Sequence, residues 1–373
     1  MVIAVLLGVV ATAVALLALL GNTNDRSVRI SQLFVYALPL GILAAGYAAD
    51  TGINLMWAIV AAVSAMAAIL VGGLLGRAPT MQDETARPGA AGLNLVCSGA
   101  ISLGLGAIVL IWASHLISAF SYLRGDVVSI VLALAAVAFA VGGRSEVGLS
   151  RTVLVVAIIG AIALLGVGIL AGDIAGLSAP QVPVPPLSVG EAIAYAVGVV
   201  IIGAGYPALR IVGPESRRNV IVAAVLVALV GFVTVLGILA LYGGAFQLPS
   251  LVINALPVYS PPIVSGIISA LVALVAIVVA GGAIHTAGHY VGLAHPGLLT
   301  PSDRVLSSPR LWIYMALGAV VVAVVLLAPT PSWLVFLLAA LGVVNLLAEW
   351  KVSASRSISA DEESANEPVT ATN

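Results

Sequence analysis

Uncharged apolar runs of about twenty residues recur through residues 1–350 and limit the possible folds of the chain more than any other feature. Examples are residues 153–170 and 220–241. A run of this length matches an α-helix that crosses a hydrocarbon core of about 30 Å, whereas a membrane β-strand needs about half that length and alternates in polarity. The chain is 62% hydrophobic and only 8% charged, so water is not its main solvent. The sequence therefore predicts an all-α polytopic membrane protein.

Eleven transmembrane helices are predicted from these runs. Their spans are 1–20, 32–49, 53–75, 94–121, 127–143, 152–171, 189–212, 219–242, 262–292, 311–328 and 332–350. Lys and Arg in short loops stay on the cytoplasmic side, and here they follow alternate spans. Arg26 follows the first span, Arg77 the third and Lys351 the last, while the intervening loops carry only Arg124. We therefore expect a multi-pass protein of the plasma (inner) membrane, with its N-terminus outside and its C-terminus in the cytoplasm.

Three segments are predicted along the chain. Residues 1–31 form an extra N-terminal transmembrane helix and a cytoplasmic loop, and residues 32–350 form a ten-helix core. Residues 351–373 are rich in Ser, Glu, Ala and Thr and have little apolar content beyond alanine. Such a composition cannot bury enough apolar surface to fold, so we expect a disordered cytoplasmic tail.

Two spans contain residues that interrupt a helix. A transporter must present backbone groups to its solute at mid-membrane, and exposed backbone is tolerated there only where it lines a cavity. Proline removes a backbone donor and glycine loosens the chain, so each interruption is either a kink or a binding site. The residues concerned are Pro39 and Gly41 in the second span, and Gly203, Gly205, Tyr206 and Pro207 in the seventh.

The seventh span and the loop after it also carry a family resemblance. Gly205-Tyr206 leads to Gly-Pro-Glu-Ser-Arg-Arg-Asn at 213–219, which resembles core helix six and the following loop of the amino acid-polyamine-organocation (APC) superfamily. Residues 148–151 and 289–299 resemble the entry to core helix five and the end of core helix eight. The resemblance implies a LeuT-type 5+5 inverted-repeat core, with repeats 32–171 and 189–350, and makes span 1–20 the additional helix.

Few polar side chains lie at membrane depth, and each has a functional and a structural interpretation. His115 either lines the substrate cavity, as the resemblance implies for core helix three, or packs as a hydrogen-bonded histidine. His285 and His289 share one helix face, but the segment lacks the glutamate of a zinc protease. They either assist proton coupling or face the cytoplasmic loop. Thr286 lies where sodium-coupled relatives place a hydroxyl ligand, so Na⁺ and H⁺ both stay open.

These features favour a secondary active transporter, or permease, of a small organic solute. The resemblance implies an amino acid or amine, moved by alternating access around broken core helices one and six. The alternative is a non-transporting subunit or scaffold with a degenerate permease fold. No nucleophile and base pair indicates an enzyme, and we expect neither a cofactor nor a bound metal. The expected partners are the solute, a coupling ion and the lipid bilayer, and the net charge of -1 gives no reason to expect nucleic acid.

Overall fold

The computed structural model describes residues 25–50, 55–75, 88–121, 124–142, 146–171, 189–206, 209, 217–242, 262–294, 309–327 and 332–365. The described secondary structure consists of ten α-helices. They are α1 (Asp25–Asp50), α2 (Leu55–Leu75), α3 (Pro88–Ser121), α4 (Gly125–Gly142), α5 (Glu146–Ala171), α6 (Val189–Ala204), α7 (Arg217–Tyr242), α8 (Pro262–Ala294), α9 (Pro309–Leu327) and α10 (Ser332–Ala365). Each corresponds to one of the spans predicted from 32–49 onward. The first predicted span, 1–20, lies outside the described residues.

The helices have the length and surface of membrane spans. Five of them, α1, α3, α7, α8 and α10, are long and apolar enough by length and composition to cross a membrane, and the other five contain shorter apolar stretches. Large apolar side chains point outward from the bundle, among them Val96, Phe336 and Leu327, which are 69%, 68% and 76% exposed. Hydrocarbon accepts such a surface, and a helix satisfies its own backbone hydrogen bonds there. The described residues are therefore helical apart from short turns, as in a multi-pass membrane protein.

Proline and aspartate mark several helix starts. Helices α3, α8 and α9 begin at Pro88, Pro262 and Pro309, where the missing amide costs nothing because the first amides of a helix have no partner within it. At the start of α4, Asp126 accepts a hydrogen bond from the Val127 amide at 3.0 Å. Its carboxylate also forms an ion pair with Arg124 at 2.7 Å. The one cation in the predicted outer loops is thus paired with a neighbouring carboxylate.

The bundle is built around α3 and α8, which share the most extensive helix contact among the described residues. Several other helix contacts come in corresponding pairs. Shifting both helix numbers of one contact by five gives the other contact of the pair. Helix α1 packs on α7 and on α5, and α6 packs on α2 and on α10. In the same way α3 contacts α9 and α10, while α8 contacts α4 and α5. The two halves of the described chain therefore repeat part of one packing pattern.

The predicted interruption in the second span is absent, because α1 continues as an α-helix through Pro39 and Gly41. A proline within a helix removes one backbone hydrogen bond, and neighbouring helices of a membrane bundle support the helix at such a point. Gly41 serves close packing instead. A Cβ atom there would lie 2.5 Å from Cγ1 of Val227 on α7, so the glycine lets the two helices approach.

Three predicted boundaries are also corrected. Helix α1 begins at Asp25, so 25–31 is helical rather than part of a loop, and α6 ends at Ala204 instead of 212. Helix α10 continues to Ala365, so residues 351–365 are helical where the sequence predicts a disordered tail. Extending an existing helix adds one hydrogen bond for each residue fixed, and alanine, glutamate and lysine support it. Residues 366–373 lie outside the described part.

Candidate functional site

Helix α6 ends abruptly at Ala204, and proline chemistry explains how. In a continued helix the amide of residue 207 would donate to Gly203, but Pro207 has no N–H. The Tyr206 amide donates to the Gly203 oxygen instead, at 3.1 Å, and the Gly205 amide donates to Ile201 at 2.9 Å. This tightening diverts the amide that would otherwise bond to the carbonyl of Ile202. The helix thus finishes in a short turn in which the Tyr206 amide bonds to a different carbonyl from that of a continued helix.

Helix α6 is shorter than the hydrocarbon core of a bilayer is thick. Helix α6 runs from Val189 to Ala204, which is 16 residues, or about 24 Å at a rise of 1.5 Å per residue. The hydrocarbon core is about 30 Å thick. The surroundings are also interior, since Gly205 and Tyr206 are both buried. Backbone that leaves its helix here must find polar partners inside the protein.

A side chain of α10 supplies that partner. Nδ2 of Asn345 donates to the Gly205 carbonyl at 2.9 Å and to the Ser98 hydroxyl on α3 at 3.2 Å. The Ser98 hydroxyl donates in turn to Oδ1 of Asn94 at 3.1 Å. Because the Gly205 oxygen can only accept, the atom of Asn345 that faces it is the nitrogen. Three helices therefore meet at one chain of neutral hydrogen bonds, which we call the α6 cap: Gly205, Asn345, Ser98 and Asn94.

The α6 cap is deeply buried and leaves one acceptor without a donor. Asn345 is 2% exposed and Ser98 is 0% exposed. Within the described residues, Oδ1 of Asn345 makes no hydrogen bond. A buried amide oxygen that lacks a donor costs free energy of about 1–3 kcal/mol. The burial of this oxygen without a donor therefore requires a functional or structural explanation.

Glycines hold the end of α6 tightly between two other helices. A Cβ atom on Gly203 would lie 2.6 Å from both the side chain and the carbonyl oxygen of Ala68 on α2. A Cβ atom on Gly205 would lie 2.8 Å from the Cα atom of Gly342 on α10. Close approach of this kind is the main source of helix association in membranes, where lipid and protein are equally apolar. The packing fixes the position at which the backbone leaves the helix α6.

The structure brings only part of the predicted site together. Gly203, Gly205 and Tyr206 lie at the end of α6, where Tyr206 is 1% exposed, whereas Pro207 lies outside the described residues. Pro39 and Gly41 lie within the continuous helix α1. His115 belongs to α3, but its side chain is outside the described part.

The predicted ion-coupling residues, His285, Thr286 and His289, all belong to α8. Nδ1 of His285 lies 3.3 Å from the Tyr314 hydroxyl of α9, and the two rings stack with centroids 6.0 Å apart. The Thr286 hydroxyl donates to the carbonyl of Gly282 in the preceding turn at 2.8 Å. His289 is exposed. The described residues contain no group of three or more His, Cys, Asp and Glu side chains that could hold a metal ion.

Sequence reasoning missed the three side chains of the α6 cap. Asn94, Ser98 and Asn345 are neutral, whereas the predicted polar site residues were mainly ionisable ones. A signal was present, because Asn345 is an amide within the apolar stretch Leu334–Val352. An amide at that depth needs hydrogen-bond partners from other helices.

Two small clefts lie between helices of the described bundle. The first, about 20 Å³, lies between α1, α4, α5 and α8 and is lined by residues that include Tyr36, Phe139 and Gly282. The second, about 10 Å³, lies between α1, α2 and α7. A buried water needs about 10–15 Å³, so each cleft has room for about one water molecule. Neither of these two clefts has room for an amino acid or an amine.

Comparison with known proteins gives structural neighbours only. No protein-family model matches the chain, and no curated protein sequence matches it. The structure is similar to that of a manganese transporter of Eremococcus coleocola in complex with an aromatic bis-isothiourea substituted compound, with a TM-score of 0.47, 12% sequence identity, and coverage of 88% of this chain and 78% of that chain. A histidine-to-alanine mutant of that transporter gives a TM-score of 0.44 and 13% identity over 85% of this chain and 77% of that chain. Similarity at this level assigns no substrate to the chain.

Proposed function

We propose that the protein is a secondary transporter of a small organic solute, an amino acid or an amine, that works by alternating access around the end of α6. The observation that carries the proposal is the termination of α6 at Ala204 inside the protein. Its Gly205 carbonyl is bonded to the side chain of Asn345 instead of to helix backbone. Interior backbone of this kind is tolerated in membrane proteins where it lines a site.

The packing pattern supports the transporter architecture. Alternating access in many carriers uses two repeats that rock against each other around a site at their interface. The contacts of α1 with α5 and α7 correspond to those of α6 with α10 and α2. This agrees with the proposed repeats 32–171 and 189–350. The α6 cap joins α3 of the first repeat to α6 and α10 of the second, so it lies between the two proposed repeats.

The chemistry of the α6 cap supports a small polar solute. It offers carbonyl, amide and hydroxyl groups, which bind ammonium and carboxylate groups through directed hydrogen bonds. The small clefts of about 20 and 10 Å³ correspond to a closed state, and the solute would enter after α6 separates from α10. The substrate and the coupling ion, Na⁺ or H⁺, belong to the proposal.

Uptake by purified protein tests this function. The full chain is reconstituted into proteoliposomes and screened with radiolabelled amino acids and amines under sodium and proton gradients. We expect accumulation of at least one solute, which Asn345→Leu abolishes and the lipid-facing control Leu347→Ala retains, because Leu347 is 55% exposed on the same helix. Correctly folded protein that accumulates no amino acid or amine would reject the proposal.

The same closed packing favours a second candidate, a non-transporting subunit with a permease-like fold. The continuous helix α1 through Pro39 and Gly41 removes one of the two expected interruptions. In that case Asn345→Leu would leave the cellular function of the protein unchanged, and that function would depend on a bound protein partner.

A further inference from the structure

Three helix starts lie together at one end of the bundle. Leu33, near the start of α1, packs against Val220 and Ala223, near the start of α7. The neighbouring residue of α1, Gln32, lines the first cleft together with Ser150, near the start of α5. Helices α5 and α7 also contact each other. We call this region the helix-start cluster, and it consists of residues 25–31, 146–152 and 217–223.

The helix-start cluster carries an excess of positive charge. Its arginines are Arg26, Arg29, Arg151, Arg217 and Arg218, and its carboxylates are Asp25 and Glu146. Just outside the cluster the sequence adds one arginine, Arg144, and one carboxylate, Glu215, so the excess is unchanged. The N-terminus of each helix adds a partial positive charge of about half an elementary unit. The cluster therefore attracts anions.

Helix α7 contributes most to this excess. Helices α1 and α5 begin with Asp25 and Glu146, and a carboxylate suits the positive end of a helix. Helix α7 begins instead with Arg217 and Arg218 and has no acidic residue in its first turn. Both arginines are exposed, and neither forms an ion pair within the part of the chain that the structure describes. An anion bound there would offset the repulsion between these cations and the helix start.

The position of the arginines favours a lipid over a soluble anion. The candidate membrane span of α7 begins at Arg217, so the two arginines lie at its boundary. Arg218, Ile221 and Val225 follow one another at three and four residues and share one helix face. Ile221 and Val225 are 47% and 48% exposed. A cationic group at the head of an exposed apolar strip matches the phosphate and the acyl chain of a phospholipid.

We propose that the helix-start cluster binds the headgroup of an anionic phospholipid, which Arg217 and Arg218 contact, while an acyl chain lies along Ile221 and Val225. The guanidinium groups donate hydrogen bonds to the phosphate oxygens. Since the cluster joins α1, α5 and α7, the bound lipid neutralises charge at the point where the three helices meet. The site goes beyond the proposed transport function and does not depend on it.

Thermal unfolding in nanodiscs of different lipid composition tests the site. The full chain is placed in phosphatidylcholine nanodiscs in which phosphatidylglycerol replaces a rising share of the lipid, at constant ionic strength so that screening stays equal. We expect the Tm to rise by about 2 °C or more and then to level off, because a ligand stabilises the state that it binds. Inorganic phosphate added to pure phosphatidylcholine nanodiscs should leave the Tm unchanged, since it has no acyl chain.

Two double variants with the same change of charge locate the effect. Arg217→Gln/Arg218→Gln removes the exposed arginines of α7 and should remove at least half of the rise in Tm. Lys351→Gln/Arg356→Gln removes two positive charges from α10, outside the cluster, and should keep the full rise. Each variant is compared with its own Tm in pure phosphatidylcholine, so a general change in stability does not conceal the response to the lipid.

Three results would overturn the site. The first is a Tm of the unmodified chain that does not respond to phosphatidylglycerol. The second is an equal loss of the rise in both double variants, which would assign the effect to general surface charge. The third is a response to inorganic phosphate as large as the response to phosphatidylglycerol, which would assign the arginines to a soluble anion. The uptake screen described above tests the transporter function separately.

Discussion

Replacing Gly203 by alanine tests how the end of α6 is held in place. The added Cβ atom would lie 2.6 Å from the Ala68 oxygen and 2.8 Å from its carbonyl carbon. Ordinary van der Waals contact begins near 3.4 Å, so the backbone of α2 must move by about 0.8 Å. Backbone cannot rotate away as a side chain can. We therefore expect Gly203→Ala to lower the free energy of unfolding by about 1–3 kcal/mol, the usual cost of overpacking a tight interior.

Gly198, on the same helix, provides a matched control. A Cβ atom there has no neighbour within 4 Å, so Gly198→Ala only removes backbone freedom and should stabilise the protein by about 0.5–1 kcal/mol. Thermal unfolding of the purified protein, followed by tryptophan fluorescence, measures both. The expected result is a lower Tm for Gly203→Ala and a higher Tm for Gly198→Ala. Equal shifts, or a more stable Gly203→Ala, would refute the close contact between α2 and α6.

Two further predictions concern α1 and α8. Gly41→Ala should destabilise the protein by about 1 kcal/mol or more, because its Cβ atom would lie 2.5 Å from Val227. Adding Val227→Ala should recover part of that loss, and a double-mutant cycle that shows no coupling would contradict the contact. Tyr314→Phe removes the hydroxyl that lies 3.3 Å from His285 and should cost about 1 kcal/mol in unfolding experiments. If the pH dependence of uptake is the same in Tyr314→Phe, the contact between Tyr314 and His285 has no part in proton coupling.

Much of the fold follows from apolar run length. The chain needs about twenty apolar residues for each crossing, and the helices α2 to α5 and α7 to α9 begin and end within about six residues of the predicted spans. The polar ends were harder to place. Helix α10 continues to Ala365 because helix extension does not require apolar residues, so hydropathy alone marks the membrane boundary and not the helix end.

The interruptions show where sequence reasoning succeeds and where it needs tertiary contacts. At Gly203–Pro207 the missing amide of Pro207 and the two close-packed glycines both favour a helix end, and α6 ends there. At Pro39 the same residue types occur within a continuous helix. The difference lies in the partners: Asn345 caps Gly205 from another helix, and that contact joins positions 140 residues apart. The residue types next to Gly205 in the sequence do not reveal a contact with so distant a position.

Water access at Tyr206 tests whether the end of α6 opens to a water-filled cavity during transport. Cys97 is the single cysteine of the chain and is buried, so Cys97→Ala gives a background in which Tyr206→Cys and Val197→Cys each present one thiol. Methanethiosulfonate reagents react with thiolates, which form only in water. Val197 is 49% exposed on the apolar surface of α6 and should stay unmodified in membrane vesicles. We expect Tyr206→Cys to be modified and a transported solute to slow the reaction. A thiol at 206 that stays unreactive under every solute and ion condition would contradict an opening at the end of α6.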